Sequence, residues 1–153
     1  MKIEAKIEEL GHKLPGTWAP PANFVPAVRT GNLVFVSGHG PRREDGTHIT
    51  GRIGADLTLE DGYEAARRVA LGLLASLKAE IGDLDKVRRI VKLLGMVNCT
   101  SDFVDPPKVI NGASDLLVAV FGEAGRHARS AVGMMALPNN IAVEIEMIVE
   151  VEA

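Results

Sequence analysis

Residues 127–152 constrain the fold of this chain more than any other stretch. Ser130 to Leu137 is mostly apolar, and Pro138-Asn139-Asn140 follows. Pro fixes φ and Asn tolerates the left-handed region, so this triplet is turn chemistry. Strict alternation comes next. Ile141, Val143, Ile145, Met147, Val149 and Val151 fall on one face, and Glu144, Glu146, Glu150 and Glu152 on the other. A period of two is a strand seen from one side. The stretch therefore predicts strand, turn, strand: a C-terminal hairpin whose apolar face needs a cover, for which helices are the expected material.

The rest of the chain supplies them. Ile3, Ile7 and Leu10 recur at helical spacing before Gly11, predicting a short N-terminal helix. Residues 12–23 hold Pro15, Pro20, Pro21 and the single Trp18, and read as a connector. Phe24 to Thr30 and Asn32 to Ser37 read as a hairpin turning at Thr30-Gly31-Asn32. Leu33-Val34-Phe35-Val36 is a continuous apolar run. Such a strand is expected to be buried on both faces. A chain of this size has few elements to cover both, so a second subunit is the expected second cover. Ser37-Gly38-His39-Gly40-Pro41 leaves the strand as a Gly-rich loop, a usual place for ligands. The polar segment Arg42–Gly54 follows, with an Asp45-Gly46 turn.

Thr58-Leu59-Glu60-Asp61 resembles a capping box with Asp in the third helical position. The long helix it opens carries the stripe Tyr63, Ala66, Ala70, Leu73, Leu74, Leu77 and Ile81, and Gly82 ends it. Asp83 to Val87 is a short connector. Ile90 to Asn98 reads as a central strand, and Thr100 to Asp105 as a loop. Pro106 and Pro107 then stand where a helix starts, with Val109, Ile110, Ala113, Leu116, Leu117 and Val120 on its apolar face, and Gly122 closes it. Two amphipathic helices on one face of a mixed sheet make a two-layer α+β fold. Residues 1–153 are expected to form a single domain, with 1–23 as an N-terminal extension.

Composition narrows the function classes. A net charge of −3 gives no global attraction for polyanions, which speaks against a nucleic-acid partner. Cys99 is alone, so neither an internal disulfide nor a CxxC metal site is available. His12, His39, His48 and His127 are scattered without ligand spacing, so no metal is expected. No GxGxxG or P-loop is present, and no apolar run approaches a membrane span. Met1-Lys2-Ile3-Glu4 lacks a signal peptide's apolar region, so a cytoplasmic protein is expected.

Several residues fit two roles each. The Arg129 guanidinium presents paired donors that match a carboxylate, and it equally suits a surface ion pair. Glu144 suits a carboxylate that orients or deprotonates water, or one of four solvated glutamates on an open strand face. Asn111, off its helix's apolar stripe, fits a ligand donor or a solvent-facing residue. Ser37 fits a ligand contact or backbone satisfaction, and His39 an acid–base group near neutral pH. Cys99 and Met134-Met135 read as packing.

Arg29-Thr30-Gly31-Asn32-Leu33-Val34-Phe35-Val36-Ser37-Gly38, Val109-Ile110-Asn111, Ala128-Arg129-Ser130 and Glu144-Ile145-Glu146 occur in the order in which they stand in the RidA/YjgF family, also labelled L-PSP endoribonucleases. The chain resembles that family from about Phe24 to Glu150. The resemblance implies a chorismate-mutase-like α+β fold and a homotrimer with clefts between subunits. It also implies hydrolysis of reactive enamines and imines to 2-keto acids and ammonia, with no cofactor or metal. It assigns Arg129 to gripping the substrate carboxylate and Glu144 to positioning the attacking water. Ser37 and Asn111 become cleft residues. Three cleft positions depart from the pattern: Ala131 stands where Cys is frequent, Phe24 replaces a tyrosine, and His39 replaces the Gln after Ser-Gly. With the N-terminal extension and the longer Arg42–Gly54 segment, these mark a divergent subgroup. Three functions are therefore expected to compete: a deaminase of small 2-imino acids, a non-catalytic binder of a keto acid or other carboxylate metabolite, and an endoribonuclease or translation inhibitor.

Overall fold

The capping box at Thr58 closes in both directions. Thr58 Oγ1 accepts the Asp61 N–H at 3.1 Å, and the Asp61 carboxylate accepts the Thr58 N–H at 2.9 Å. In the computed structural model, which describes residues 1–153, this opens helix α2 (Leu59–Ile81). Gly82 ends it at φ +87°, a backbone that favours glycine. Helix α3 (Pro106–Phe121) packs beside α2. Gly112 permits their approach, because a Cβ there would run into the Tyr63 carbonyl. A short helix, α1 (Lys2–Glu9), packs near the start of the third strand, and the Asp85 carboxylate caps it by accepting the N–H groups of Lys2 and Ile3 at 3.0 and 2.9 Å.

Five strands form one sheet: β1 (Ala27–Thr30), β2 (Leu33–His39), β3 (Val87–Asn98), β4 (Ala128–Met134) and β5 (Val143–Val151). Their order is β1-β2-β5-β3-β4. The residues of β5 expected inside are buried: Val143, Ile145, Met147, Val149 and Val151 all lie on the helix-covered face, where α2 packs on the strand. No helix of the chain is long and apolar enough to cross a membrane.

One expectation fails, over which neighbour a strand takes. The C-terminal hairpin does not form. The chain does reverse at 138–140, with Asn139 and Asn140 at φ 55° and 59°. But β5 inserts between β2 and β3, antiparallel to both, while β4 pairs parallel to β3. The β3–α3–β4 crossover brings β4 to the sheet edge. A central slot satisfies both backbone edges of β5, the longest strand with a fully apolar face; pairing with β4 alone would leave one edge open. The apolar run Leu33–Val36 has one cover within the chain, as expected of a chain with few elements to cover both faces. Val34 is 0 % exposed but Phe35 is 42 %, so within the chain Leu33–Val36 alternates like a one-sided strand. Leu33 and Phe35 lie with Val28 on the sheet face that no helix covers. The first strand also starts later than expected, and Phe24 sits in the irregular stretch before it.

Candidate functional site

The sheet sorts the candidate residues into two groups. Arg129 aligns across the ladder with Leu93 and Met147, both buried beneath the helices. Glu144 aligns with Met96 and Val132, the row on the opposite face. Within one chain, then, the two principal candidates lie on opposite faces of the sheet, separated by β3.

The first group gathers on the helix side of β4. Ala131 follows Arg129 at the period of two and shares its face. On α3, Pro107, Asn111 and Ser114 are spaced four and three residues apart and form one stripe. Arg129 reaches that stripe at both ends: Nη1 donates to Ser114 Oγ at 3.0 Å and Nη2 to the Pro107 carbonyl at 3.2 Å. These partners are neutral, and no carboxylate stands within 4 Å of the guanidinium. Ser114 is held in turn by His127. The His127 Nδ1–H donates to the Gly125 carbonyl at 2.7 Å, so Nε2 accepts from the Ser114 hydroxyl at 2.9 Å. Burial, opposed by the Gly125 bond and helped by the Arg129 charge, pulls the His127 pKa below the ordinary imidazole value and keeps it neutral.

The second group lines a cleft of about 290 Å³ between β2, β5 and the N-terminal connector. Phe24, His39 and Glu144 meet there, with Trp18 and the Pro138-Asn139 turn at its rim. The Trp18 ring lies 4.8 Å from His39 and 5.9 Å from Phe24, centroid to centroid. Glu144 is half-buried; burial and then the neighbouring Glu146 push its carboxyl above the usual range. Its side chain lies over Gly38, where any Cβ would collide with Oε2. The register shift between Val36 and His39 creates this arrangement. One extra residue on β2 turns His39 toward the helices and leaves Gly38 beside Glu144.

His39 is more enclosed than an acid–base group in a cleft. It is 6 % exposed, its Nδ1–H donates to the Ser37 carbonyl at 2.6 Å, and Nε2 accepts the Ser76 hydroxyl at 2.7 Å. Burial chiefly lowers its pKa, so it is neutral and both nitrogens are occupied. Ser37 faces the uncovered side of the sheet, where its hydroxyl donates to the Val25 carbonyl at 2.7 Å. It lines a second concavity there with Phe35, Lys92 and Glu146.

Several residues that shape these sites gave little sign of it in the sequence. Buried Asn98 donates to the Gly51 and Ile141 carbonyls, both at 3.2 Å, and to Asn140 Oδ1 at 2.9 Å. Arg52 donates to the Met135 carbonyl at 3.1 Å and to that of Cys99. Together they brace the turn that rims the cleft. Ser114 and His127 hold Arg129; only the two-residue spacing of His127 and the seven-residue spacing of Ser114 from Pro107 hint at it. No three His, Cys, Asp or Glu side chains converge as metal ligands would.

The family described as "YjgF/chorismate mutase-like, putative endoribonuclease" matches residues 4–151. Protein TCP17 of Trypanosoma cruzi is 45% identical over 150 residues, covering 97% of this chain and 94% of that protein. A crystal structure of Atu1372 from Agrobacterium tumefaciens, a protein of unknown function, is 45% identical with a TM-score of 0.93, over 99% of this chain and 93% of that one. A Shewanella oneidensis structure carrying the same endoribonuclease description is 33% identical with a TM-score of 0.94, over 97% of this chain and 99% of that one.

Proposed function

Because this chain belongs to the YjgF/RidA family, we propose that it hydrolyses small 2-imino acids to 2-keto acids and ammonia, in clefts completed between copies of a homotrimer. The observation that carries this reading is the state of Arg129. It is a guanidinium fixed by two neutral oxygens and left without a carboxylate. Such a cation is oriented for an anion supplied from outside.

The chemistry follows from the two groups. The substrate carboxylate docks on Arg129, with Asn111 beside it on α3. A water held by the Glu144 carboxylate attacks the imine carbon, and Glu144 takes its proton. The raised pKa brings Glu144 closer to neutrality and makes it a better base than an exposed glutamate. The proton then passes to nitrogen to give the carbinolamine, whose hydroxyl proton follows it to nitrogen as the carbon–nitrogen bond breaks, so that ammonia leaves a carbonyl behind. Phe24 and Trp18 supply an apolar wall. Since Arg129 and Glu144 lie on opposite sheet faces of one chain, the site needs the Arg129 group of one copy against the cleft of another. The uncovered sheet face, with Val28, Leu33 and Phe35 exposed, is the surface for that docking.

A second reading is a binding protein that captures a keto acid without turnover. It is favoured by the internal use of hydroxyl and imidazole groups: Ser37 donates to Val25, His39 is closed on both nitrogens, and Phe24 offers no hydroxyl. One experiment separates the two. 2-Imino acids are generated in situ by an amino-acid oxidase and their decay is followed. Wild type is expected to accelerate decay, and Arg129→Ala to lose about a hundredfold or more of that acceleration while remaining folded. No acceleration with any imino acid, together with keto-acid binding that Arg129→Ala abolishes, would establish the binder.

A further inference from the structure

A second cavity, of about 570 Å³, lies among the connector 11–16, the loop 42–46 and α2. The Pro- and Gly-rich connector and the start of the polar Arg42–Gly54 segment form most of its wall. Its charge is unlike that of the chain as a whole. Lys13, Arg42, Arg43, Arg67 and Arg68 line it, and Glu44 is its one lining carboxylate. Glu64, on α2, takes both Arg67 and Arg68, the latter through Nε at 3.2 Å, so the forked end of Arg68 stays open. Lys13, Arg42 and Arg43 have no carboxylate within 4 Å. Neutral oxygens hold the two arginines instead: the Gly16 carbonyl for Arg42, and Thr47 Oγ1 and the His48 carbonyl for Arg43, at 3.3 and 3.0 Å.

Five cations around one hollow, facing two carboxylates, repel one another, in a chain whose overall charge is −3. An anion seated among them relieves that repulsion. A single carboxylate offers one charge and two oxygens. A phosphate offers up to two charges and three free oxygens, and guanidinium forks match it. The volume suits a small metabolite. We propose that this cavity binds a small phosphorylated molecule, with its phosphate among Lys13, Arg43 and Arg68. This site is separate from the imine-hydrolysis cleft. Arg42 lines both cavities, and the test therefore avoids it.

The test is titration of the full chain with inorganic pyrophosphate, by calorimetry and by fluorescence of Trp18, two residues beyond Gly16. Saturable binding is expected, weakened about tenfold or more in the double variant Lys13→Gln/Arg68→Gln and unchanged in Arg129→Ala. Lys13 makes no hydrogen bond or ion pair, and Arg67 retains Glu64 without Arg68, so the double variant should melt as wild type does. Arg43→Gln is a second, independent loss. Absence of saturable binding would overturn the proposal. So would binding that survives in the double variant and in Arg43→Gln, or citrate binding as tight as pyrophosphate, which would make the site a polycarboxylate site.

Discussion

At the end of β2, His39 donates from Nδ1 to the carbonyl two residues back and receives the Ser76 hydroxyl of α2 on Nε2. Just before β4, His127 makes the same pair of bonds, to the Gly125 carbonyl and the Ser114 hydroxyl of α3. In both places a strand is tied to a helix through a neutral imidazole. The difference is what lies beyond the serine. Ser76 is buried and the chain of bonds stops there. Ser114 also accepts from Arg129, so its chain of bonds ends at an unpaired cation. The first device holds the fold together, whereas the second holds a functional group in place.

Breaking the first device should cost the most. His39→Ala opens space under Trp18 and strands the Ser76 hydroxyl, so stability is expected to fall by about 2–4 kcal/mol in denaturant titration. A loss below that range would mean the imidazole is not the brace its bonds indicate. The cleft beside His39 depends on a different residue for chemistry. Gly38→Ala should push Glu144 aside, which a flexible carboxylate end allows at small cost in stability. The expected result is kcat down by about tenfold or more with little change in melting temperature. A variant with full kcat would remove Glu144 from the reaction.

The second device predicts a smaller and more selective effect. Ser114→Ala frees one end of Arg129 and leaves Pro107 at the other. Substrate binding should weaken by about five- to tenfold, seen in KM more than in kcat, with about 1 kcal/mol lost in stability. A double-mutant cycle sharpens the point. In an Arg129→Lys background, the Ser114 substitution should have almost no further effect on KM, because the bidentate grip is already gone. Independent, additive effects would show that Ser114 acts on the fold and not through Arg129.

These two devices also mark the boundary of what the chain discloses before folding. The capping box at Thr58 and Asp61 is a local bond pair, legible three residues apart. The inward face of β5 is legible because burial imposes a period of two on consecutive residues. Ladder partners are not local. The Pro138–Asn140 turn states that the chain reverses, yet β5 pairs with strands that begin at residues 33 and 87. The Leu33–Val36 run is more legible, because a continuous apolar strand in a chain with few covering elements implies a face left uncovered within that chain. His39 meets Ser76 across 37 residues, and Trp18, in a Pro-rich connector, closes over both His39 and Phe24. Arg129 and Glu144 stood out through motif and type. That they occupy opposite faces depends on the register of three strands.

The faintest effect, and the one that compares the two histidines most directly, is in the pH dependence of stability. Both imidazoles have pKa values lowered in the folded state, chiefly by burial. The unfolded chain titrates near the ordinary value of about 6.5 and therefore takes up protons first as pH falls. Stability is complete above that value and is lost on acidification toward the folded pKa values. His12 and His48 act in the same direction from more open positions. Glu144 acts in the opposite direction: its raised pKa means the folded chain gains a proton first, so protonation restores stability. Glu144→Gln should thus raise stability at neutral pH and steepen the loss below it. In denaturant titrations between about pH 7 and 5, His39→Gln should flatten the slope more than His127→Gln, since His39 is the more deeply buried. If the order were reversed, His127 would be the imidazole more strongly held neutral, and the two devices would have exchanged roles.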